Sequence, residues 1–461
     1  MKEAVRKLVY DKYIRPLDNN HQVYVGVELE FPIVHVKGEK TDHRVCKEVF
    51  KKAVETFHLN PLQWDSYKDC IMAEQEENGD SFSFDCSYQT LEISFGKEKN
   101  LCEVQKRFQI YIRFFIHELN QQDHTITGMG IHPFSKNCEK TYISSPRYQM
   151  LEGYLHSTDP GKKPWGLHAY PEFGTFATSS QVQLDVKKED LFRTIRAFTL
   201  LEPLKSLLFA NSVLWEEEPD YNLVRDLLWE RSAHGINPRN VGFYQKIPET
   251  EEEMIDYLLY TSLFCTERDG TYVFFYPIPV ADYFKKDQVE GTSYDHGTCH
   301  KVIFSPDVLD LKYLRTYKHQ DLTARGTLEH RSLCTQPLRE ALSGVAFQLG
   351  LSEKVDELED YLRESPVLYG HGFSPEELRK SFNRGVIPDF ISKDSLRQLL
   401  IHLVSLAEEG LLKRGYGEER LLTPVFDRAE RIASPAQDMK EKLQNGTSML
   451  EMVEEYSRME I

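Results

Sequence analysis

From Val23 to Val34 the chain reads VYVGVELEFPIV, and its apolar and polar positions alternate. Val23, Val25, Val27, Leu29 and Phe31 fall on one side of an extended chain, and Gly26, Glu28 and Glu30 fall on the other. The pattern predicts a strand with one apolar face and one face that aims two carboxylates the same way. Same-face neighbours stand about 6.7 Å apart, too far to share one proton easily but near enough to hold adjacent cations. A second clean alternation starts at Thr178 in TSSQVQLDV, with Val182, Leu184 and Val186 on one face and Gln181, Gln183 and Asp185 on the other. YVFFYPIPV from Tyr272 and LEHRSLC from Leu328 read as further strands. Between them, CKEVFKKAVETF and LCEVQKRFQIYIRFFIHELNQQ show the three-to-four spacing of helices. In KKEDLFRTIRAFTLLEPLKSLLFANS a stripe of Leu191, Ile195 and Phe198 predicts another helix, which Pro203 is expected to kink or restart. From Leu338 onward the pattern is helical. No repeat, low-complexity tract or Gly/Ser linker divides the chain. The expectation is one α+β domain over 1–461, with a sheet-rich part over 1–337 and a helical part over 338–461.

Composition narrows the functional classes. A chain of 461 residues with 40% hydrophobic content can bury a large core. Its net charge is −17, from 73 acidic and 56 basic residues, which disfavours a long phosphate backbone as partner and so excludes nucleic acid. Eight cysteines occur without a C-x-x-C, which argues against a structural zinc site and fits reduced thiols. No run of 18 apolar residues is present, and MKEAVRKLVYDKYIRPL lacks the apolar core of a signal peptide. These features predict a soluble, cytoplasmic protein with no membrane partner.

Four predicted strands place charged or amide side chains on one face: Glu28 and Glu30; Asp85 and Glu92 in DCSYQTLEIS; Gln181 and Gln183; Glu329 and Arg331 in TLEHRS. Glu92 lies between Leu91 and Ile93, so it projects from a strand whose other face is apolar. Two carboxylates about 4 Å apart repel by about 4 kcal/mol at an effective dielectric near 20. Five gathered in one cleft need protons or cations. Hard oxygen ligands without a His/Cys set suit magnesium or manganese, which commonly accompanies a nucleotide phosphate. Neither G-x-x-x-x-G-K-[ST] nor G-x-G-x-x-G occurs, so any ATP bound here must have its phosphates held through metal ions.

In these residues the chain resembles the glutamate–cysteine ligases, particularly the plant and actinobacterial type, within the glutamine-synthetase-like carboxylate–amine ligases. VGVELEFPIV is similar to a G-x-E-x-E metal strand, SSQVQLD to Q-V-N-L-D, LKSLLFANS to a helix ending L-F-A-N-S, and RDLLW to R-x-x-x-W. DCSYQTLEIS keeps the family's spacing of seven between two acids, LEHRSL resembles E-x-R-S-L, and AEEGLLKRGYGEERLL resembles a closing G-L-x-R-R-G-x-x-E. The resemblance implies a twisted, saddle-like antiparallel sheet with helices on its convex side. It implies ATP-dependent joining of the γ-carboxylate of L-glutamate to the amine of L-cysteine through a γ-glutamyl phosphate, by a monomer or homodimer. Carried over by position, Glu28, Glu30, Asp85, Glu92 and Glu329 are expected metal ligands. Gln181, Gln183 and Arg331 would contact ATP, with Arg331 and Glu329 at the transferring phosphoryl group. Arg225 and Trp229 are expected at the amino-acid donor. Apart from the resemblance, Trp165 and His168 in the Pro/Gly-rich loop KKPWGLHAYPEFGTF are candidates for a substrate lid, with a packed loop anchor as the favoured alternative. Gln183 stands where the family has asparagine, and the E-P-G-G-Q and M-R-G-A-D-G segments of the plant type are missing.

Three other functions compete with this one: a ligase of the same fold with another donor or amine, a nucleotide-binding relative without chemistry, and a glycoside hydrolase with paired carboxylates. The hydrolase gives no reason for Arg331 two residues after Glu329. His132, His300, Cys86 and Cys334 read as structural, and WEEEPD at Trp215 as a solvated turn.

Overall fold

The structure is a computed structural model that describes residues 2–18, 24–157, 167, 169–295 and 298–459. In chain order its strands are β1 (Val25–His35), β2 (Asn60–Trp64), β3 (Cys70–Glu74), β4 (Ser81–Phe84), β5 (Thr90–Glu98), β6 (His124–Ile126) and β7 (Ser179–Asp185). They continue with β8 (Val241–Gly242), β9 (Ser262–Arg268), β10 (Thr271–Pro279), β11 (Val289–Asp295), β12 (Thr298–Phe304), β13 (Tyr317–Lys318), β14 (Gln320–Leu322) and β15 (Thr327–Cys334). A nine-stranded sheet has the order β14-β15-β7-β1-β5-β4-β3-β2, with β6 also paired to β1, and every pairing in it is antiparallel. β9 to β12 form a separate four-stranded sheet, so YVFFYPIPV does not extend the carboxylate sheet as its pattern alone allowed.

The alternation in β1 has the expected cause. Val25, Val27, Leu29 and Phe31 are fully buried against the core. The helix Leu101–Asn120 packs on β5 and β6, Leu191–Phe209 on β15, and Ser343–Ser352 on β7. These helices cover one face of the sheet and leave the face with Glu28 and Glu92 open. The helix Leu191–Phe209 runs through Pro203 without restarting, and its residues from Leu201 to Phe209 are all buried. Tertiary packing on this stretch outweighs the hydrogen bond that proline cannot make.

After β15 the chain is helical, and this part is tightly joined to the sheet. The helices Ser343–Ser352 and Lys393–Arg414 cross where Gly350 meets Gly410. A Cβ on Gly410 would lie 2.0 Å from the Gly350 carbonyl oxygen, so the backbones approach as closely as only glycine allows. Arg379, from the helix Pro375–Phe382, is fully buried. Its Nε donates to Asp226 Oδ2 at 2.6 Å and its Nη1 to Glu202 Oε2 at 3.0 Å, while Lys205 donates to Glu202 at 2.7 Å. Burial alone would raise both acids, but Lys205 and Arg379 hold Glu202 down to about 2, and Arg379 holds Asp226 below the usual carboxylate range. The short helix Val224–Glu230, which carries Arg225 and Trp229, is thereby fixed to the C-terminal helices.

Replacing Arg379 by methionine leaves Glu202 and Asp226 buried with too little positive charge. Urea unfolding of Arg379→Met is expected to show a loss of about 3–5 kcal/mol, the usual consequence of removing one partner from a buried ion pair. A loss below about 1 kcal/mol would contradict a structural role for this network.

Candidate functional site

Strand register builds the site. Glu30 on β1 lies directly opposite Glu92 on β5, and Glu92 lies opposite Ser83 on β4. On the other flank Glu28 pairs with Gln181 of β7, and Glu329 of β15 with Gln183. Asp85 follows the end of β4. The carboxylates of Glu30, Asp85 and Glu92 come together, each offering one oxygen within 4.8 Å of the others. Ser83 and Ser94 each donate to Glu92 at 3.1 Å, Tyr148 donates to Asp85 at 3.1 Å, and Ser179 and Gln181 donate to Glu30 at 2.9 and 3.0 Å. The oxygens are thus aimed by neighbours that themselves carry no charge.

These donors do not remove the repulsion. Burial, then the charge of Asp85, pushes the Glu30 carboxyl up to about 7, against the pull of Arg225 and Ser179. Burial and the charges of Asp85, Glu28 and Glu30 push Glu92 well above the carboxylate range. Glu28 and Glu329 form a second pair at the rim. Gln183 bridges them through Nε2, at 3.2 Å to Glu28 and 3.1 Å to Glu329, and Arg331 forms an ion pair with Glu329. The predicted row of five acids therefore divides into a clustered three and a bridged two.

All five acids, with Gln181, Arg225, Trp229 and Arg331, line one cleft of about 540 Å³. Gln183 is set apart: it lines the adjoining hollow with Tyr24, Phe95 and Lys97, and acts on the main cleft through the two glutamates it bridges. Arg225 is buried and donates from Nη1 to the Leu333 carbonyl at 3.1 Å, which fixes the plane of its guanidinium. Trp229 stacks on Tyr317 at 4.4 Å. Trp165 and His168 lie outside the described residues.

Sequence reasoning missed much of the positive wall. Arg147, Arg315 and Arg325 also line the cleft. Arg325 donates to Gln183 at 2.6 Å, whereas the guanidinium groups of Arg147 and Arg315 have no ion pair or hydrogen bond among the described residues. One signal for Arg147 was available. It lies in the first turn of the helix Pro146–His156, where the macrodipole disfavours a cation unless something else requires it. Other residues have structural settings: His132 is a buried histidine beside Thr41, lowered to about 4 by burial, and His300 is exposed on β12. Burial raises the Cys86 thiol well above its usual value, and no cysteine is paired among the described residues. Residues 215–220 form a turn. In the closing motif, the fully buried Glu418 accepts from the Leu101 amide at 2.8 Å and from Arg414 at 2.7 Å, locking helices rather than lining the cleft.

No family model matches the chain. It is 26% identical over 332 residues to the chloroplastic glutamate–cysteine ligase of Brassica juncea, covering 68% of this chain and 57% of that protein. It is 25% identical over 330 residues to the chloroplastic enzyme of Nicotiana tabacum, covering 68% and 56%. The chain is similar to the glutamate–cysteine ligases. It spans a little over half the length of these curated relatives. The glutamate–cysteine ligase of Francisella tularensis, solved in complex with AMP, has the same fold at a TM-score of 0.51 and 10% identity, over 95% of this chain and 88% of that one. The mixed architecture of open antiparallel sheet and packed helices is therefore that of the glutamate–cysteine ligase fold. No helix among the described residues is long and apolar enough to cross a membrane.

The raised carboxyls set a sign for pH dependence. Glu30 moves from 4.5 in the unfolded chain to about 7 in the fold, so between those values the folded protein retains a proton that the unfolded chain has lost. Metal-free stability therefore falls as pH rises through this window, and the penalty is complete above about 7. Glu92→Gln removes one of the repelling charges. It is expected to stabilise the metal-free protein by roughly 1–3 kcal/mol above the window and by less near its acid end, measured by calorimetric unfolding. With manganese the order reverses, because the wild type gains more. A Glu92→Gln effect independent of pH would contradict this electrostatic account.

Proposed function

We propose that the protein is an ATP-dependent ligase that joins the γ-carboxylate of L-glutamate to the amine of L-cysteine through an acyl phosphate. The observation that carries this reading is the pairing, in one cleft, of a three-carboxylate nest with arginines, of which Arg147 and Arg315 make no ion pair or hydrogen bond among the described residues. Such a cleft accepts cations and anions together, as a metal–nucleotide requires. The similarity to plant glutamate–cysteine ligases supports the choice of donor and amine.

The residues fit a hard divalent cation. The donor set is oxygen only, and two of its carboxyls are forced toward neutrality when no cation is near. Glu30, Asp85 and Glu92 would hold magnesium or manganese, with Glu28 and Glu329 joining from the rim. When bound, the ion supplies charge neutralisation to the phosphates of ATP. Arg331 and Gln181 face the phosphates, and Gln183 keeps Glu28 and Glu329 at a fixed separation. Arg225, with one edge tied to Leu333, offers its remaining donors to the α-carboxylate of the amino-acid donor. Trp229 packs along the donor's stem.

In the first step a γ-carboxylate oxygen attacks the γ-phosphorus and the bond to ADP breaks. In the second, the amine nitrogen attacks the acyl carbon and phosphate leaves. Little covalent work falls to the protein in either step, so in-line positioning and fixed charges supply most of the rate. The working form is a monomer or homodimer acting on small molecules in the cytoplasm. A glycoside hydrolase needs two carboxylates but leaves Arg147, Arg225 and Arg315 unexplained.

A coupled assay for ADP, with magnesium, glutamate and cysteine, tests the reading. ADP release is expected to require both amino acids, and kcat/KM is expected to favour cysteine over 2-aminobutyrate, serine and alanine. A pocket separates such amines by about 1–3 kcal/mol, so a clear preference for an unrelated amine would retain the ligase and discard cysteine. Glu329→Gln is expected to lower kcat by about 10²-fold or more. Arg225→Lys is expected to raise KM for glutamate while leaving that for ATP nearly unchanged, since lysine lacks the bidentate fork. Equal shifts in both constants would remove Arg225 from the donor site.

A further inference from the structure

The helix Val224–Glu230 presents two acids to the cleft, and they differ in one respect. Asp226 is fully engaged, accepting from Arg379 at 2.6 Å and Asn383 at 2.8 Å. Glu230 accepts no hydrogen bond from any described residue. Its one ion pair is with Lys380, at a loose 3.9 Å, and that lysine lies closer to Glu376, at 2.5 Å. Each of the other acids lining the cleft takes at least one hydrogen bond. The fold also keeps space for this carboxylate. Gly242, across from it on β8, has φ +63, and a Cβ there would stand 3.2 Å from Glu230 Oε1. Beside it the stacked Trp229 and Tyr317 offer an apolar wall.

Glu230 does not belong to the carboxylate nest. The carboxylate oxygens that lie within 4.8 Å of one another are those of Glu30, Asp85 and Glu92, and Glu230 is not among them. The charge of Arg225, near the start of the same helix, acts on Glu30. Of the groups that react in the proposed ligation, only the amine must lose a proton before it can act, because an ammonium nitrogen has no lone pair to donate.

We propose that Glu230 receives the ammonium of the incoming amine and takes its proton, an assignment that rests on the ligase reading above. The protons and electrons balance. One N–H proton passes from the ammonium to the Glu230 carboxylate, and the freed nitrogen lone pair forms the C–N bond to the acyl carbon. The C–O bond to phosphate breaks with its electron pair on the phosphate oxygen, which takes the second N–H proton as the amide forms. Glu230 then returns its proton to solvent. The electrostatic setting suits this task. Burial first, then Asp226, pushes the Glu230 carboxyl up to about 7, with Glu376 adding to the rise and Lys380 and Arg379 opposing it. A base poised near neutral pH accepts a proton and releases it again within one turnover.

Hydroxylamine tests the assignment, because it is largely unprotonated at neutral pH and needs no base before it attacks an acyl phosphate. Wild-type protein with ATP, magnesium and glutamate is given either cysteine or hydroxylamine, and amide and hydroxamate are measured. For Glu230→Gln, kcat/KM for cysteine is expected to fall by about 10²-fold, while hydroxamate formation stays within about threefold of wild type. Retained hydroxamate formation also shows that the variant is folded. Glu230→Asp is expected to recover part of the amide rate. The wild-type amide rate is expected to rise with pH and level off above about 7, whereas in Glu230→Gln it is expected to keep rising toward the pKa of the amine itself. Parallel loss of both products would place Glu230 at the donor or in the scaffold and overturn the assignment, as would unchanged amide synthesis. Wild-type protein that forms neither product with any amine would instead overturn the ligase reading itself.

Discussion

Three carboxylates on neighbouring elements of one sheet cannot all carry charge in a buried site without a cation. Glu30 and Glu92 stand directly opposite on adjacent strands, where like charges weaken a sheet, and Asp85 closes the group. The serines at 83, 94 and 179 and the amide of Gln181 orient these oxygens without neutralising them. The fold holds a local penalty at this point, and the packing of long helices against the opposite face keeps it in place. A bound divalent ion would turn the same repulsion into affinity.

The rest of the cleft follows from that constraint. Gln183 bridges Glu28 and Glu329, and Arg331 pairs with Glu329, so this second pair of acids is held apart from the three. Arg147 and Arg315 line the same cleft and make no ion pair or hydrogen bond among the described residues. The helix with Arg225 and Trp229 is placed by a buried ionic network rooted in Arg379, so a C-terminal helix fixes one wall of the cleft.

The legible parts of this design were those with strict period-two alternation. β1, β7 and β15 announced their polar faces, and their acids and amides do meet in one cleft or its margin. Register was not legible: nothing in the sequence states that Glu30 faces Glu92 while Glu28 faces Gln181, and this pairing separates the clustered three from the bridged two. Arg315 was hidden because it lies outside any periodic element, in the segment leading to β13. At Pro203 the helix does not restart, because burial of Leu201 to Phe209 decides where local propensity alone would allow a break. Arg379 sits on a helix with ordinary surface patterning, and its burial depends on Glu202 and Asp226, more than 150 positions away.

If the nest takes a divalent cation, the protons that Glu30 and Glu92 retain without metal must leave as the ion enters. Calorimetric titration of the protein with manganese near pH 7, in buffers of different ionisation enthalpy, measures binding and proton release together. Wild-type protein is expected to release protons as manganese binds, and Glu92→Gln to bind more weakly and release fewer. Manganese binding with no proton release, or with equal affinity in Glu92→Gln, would contradict the account.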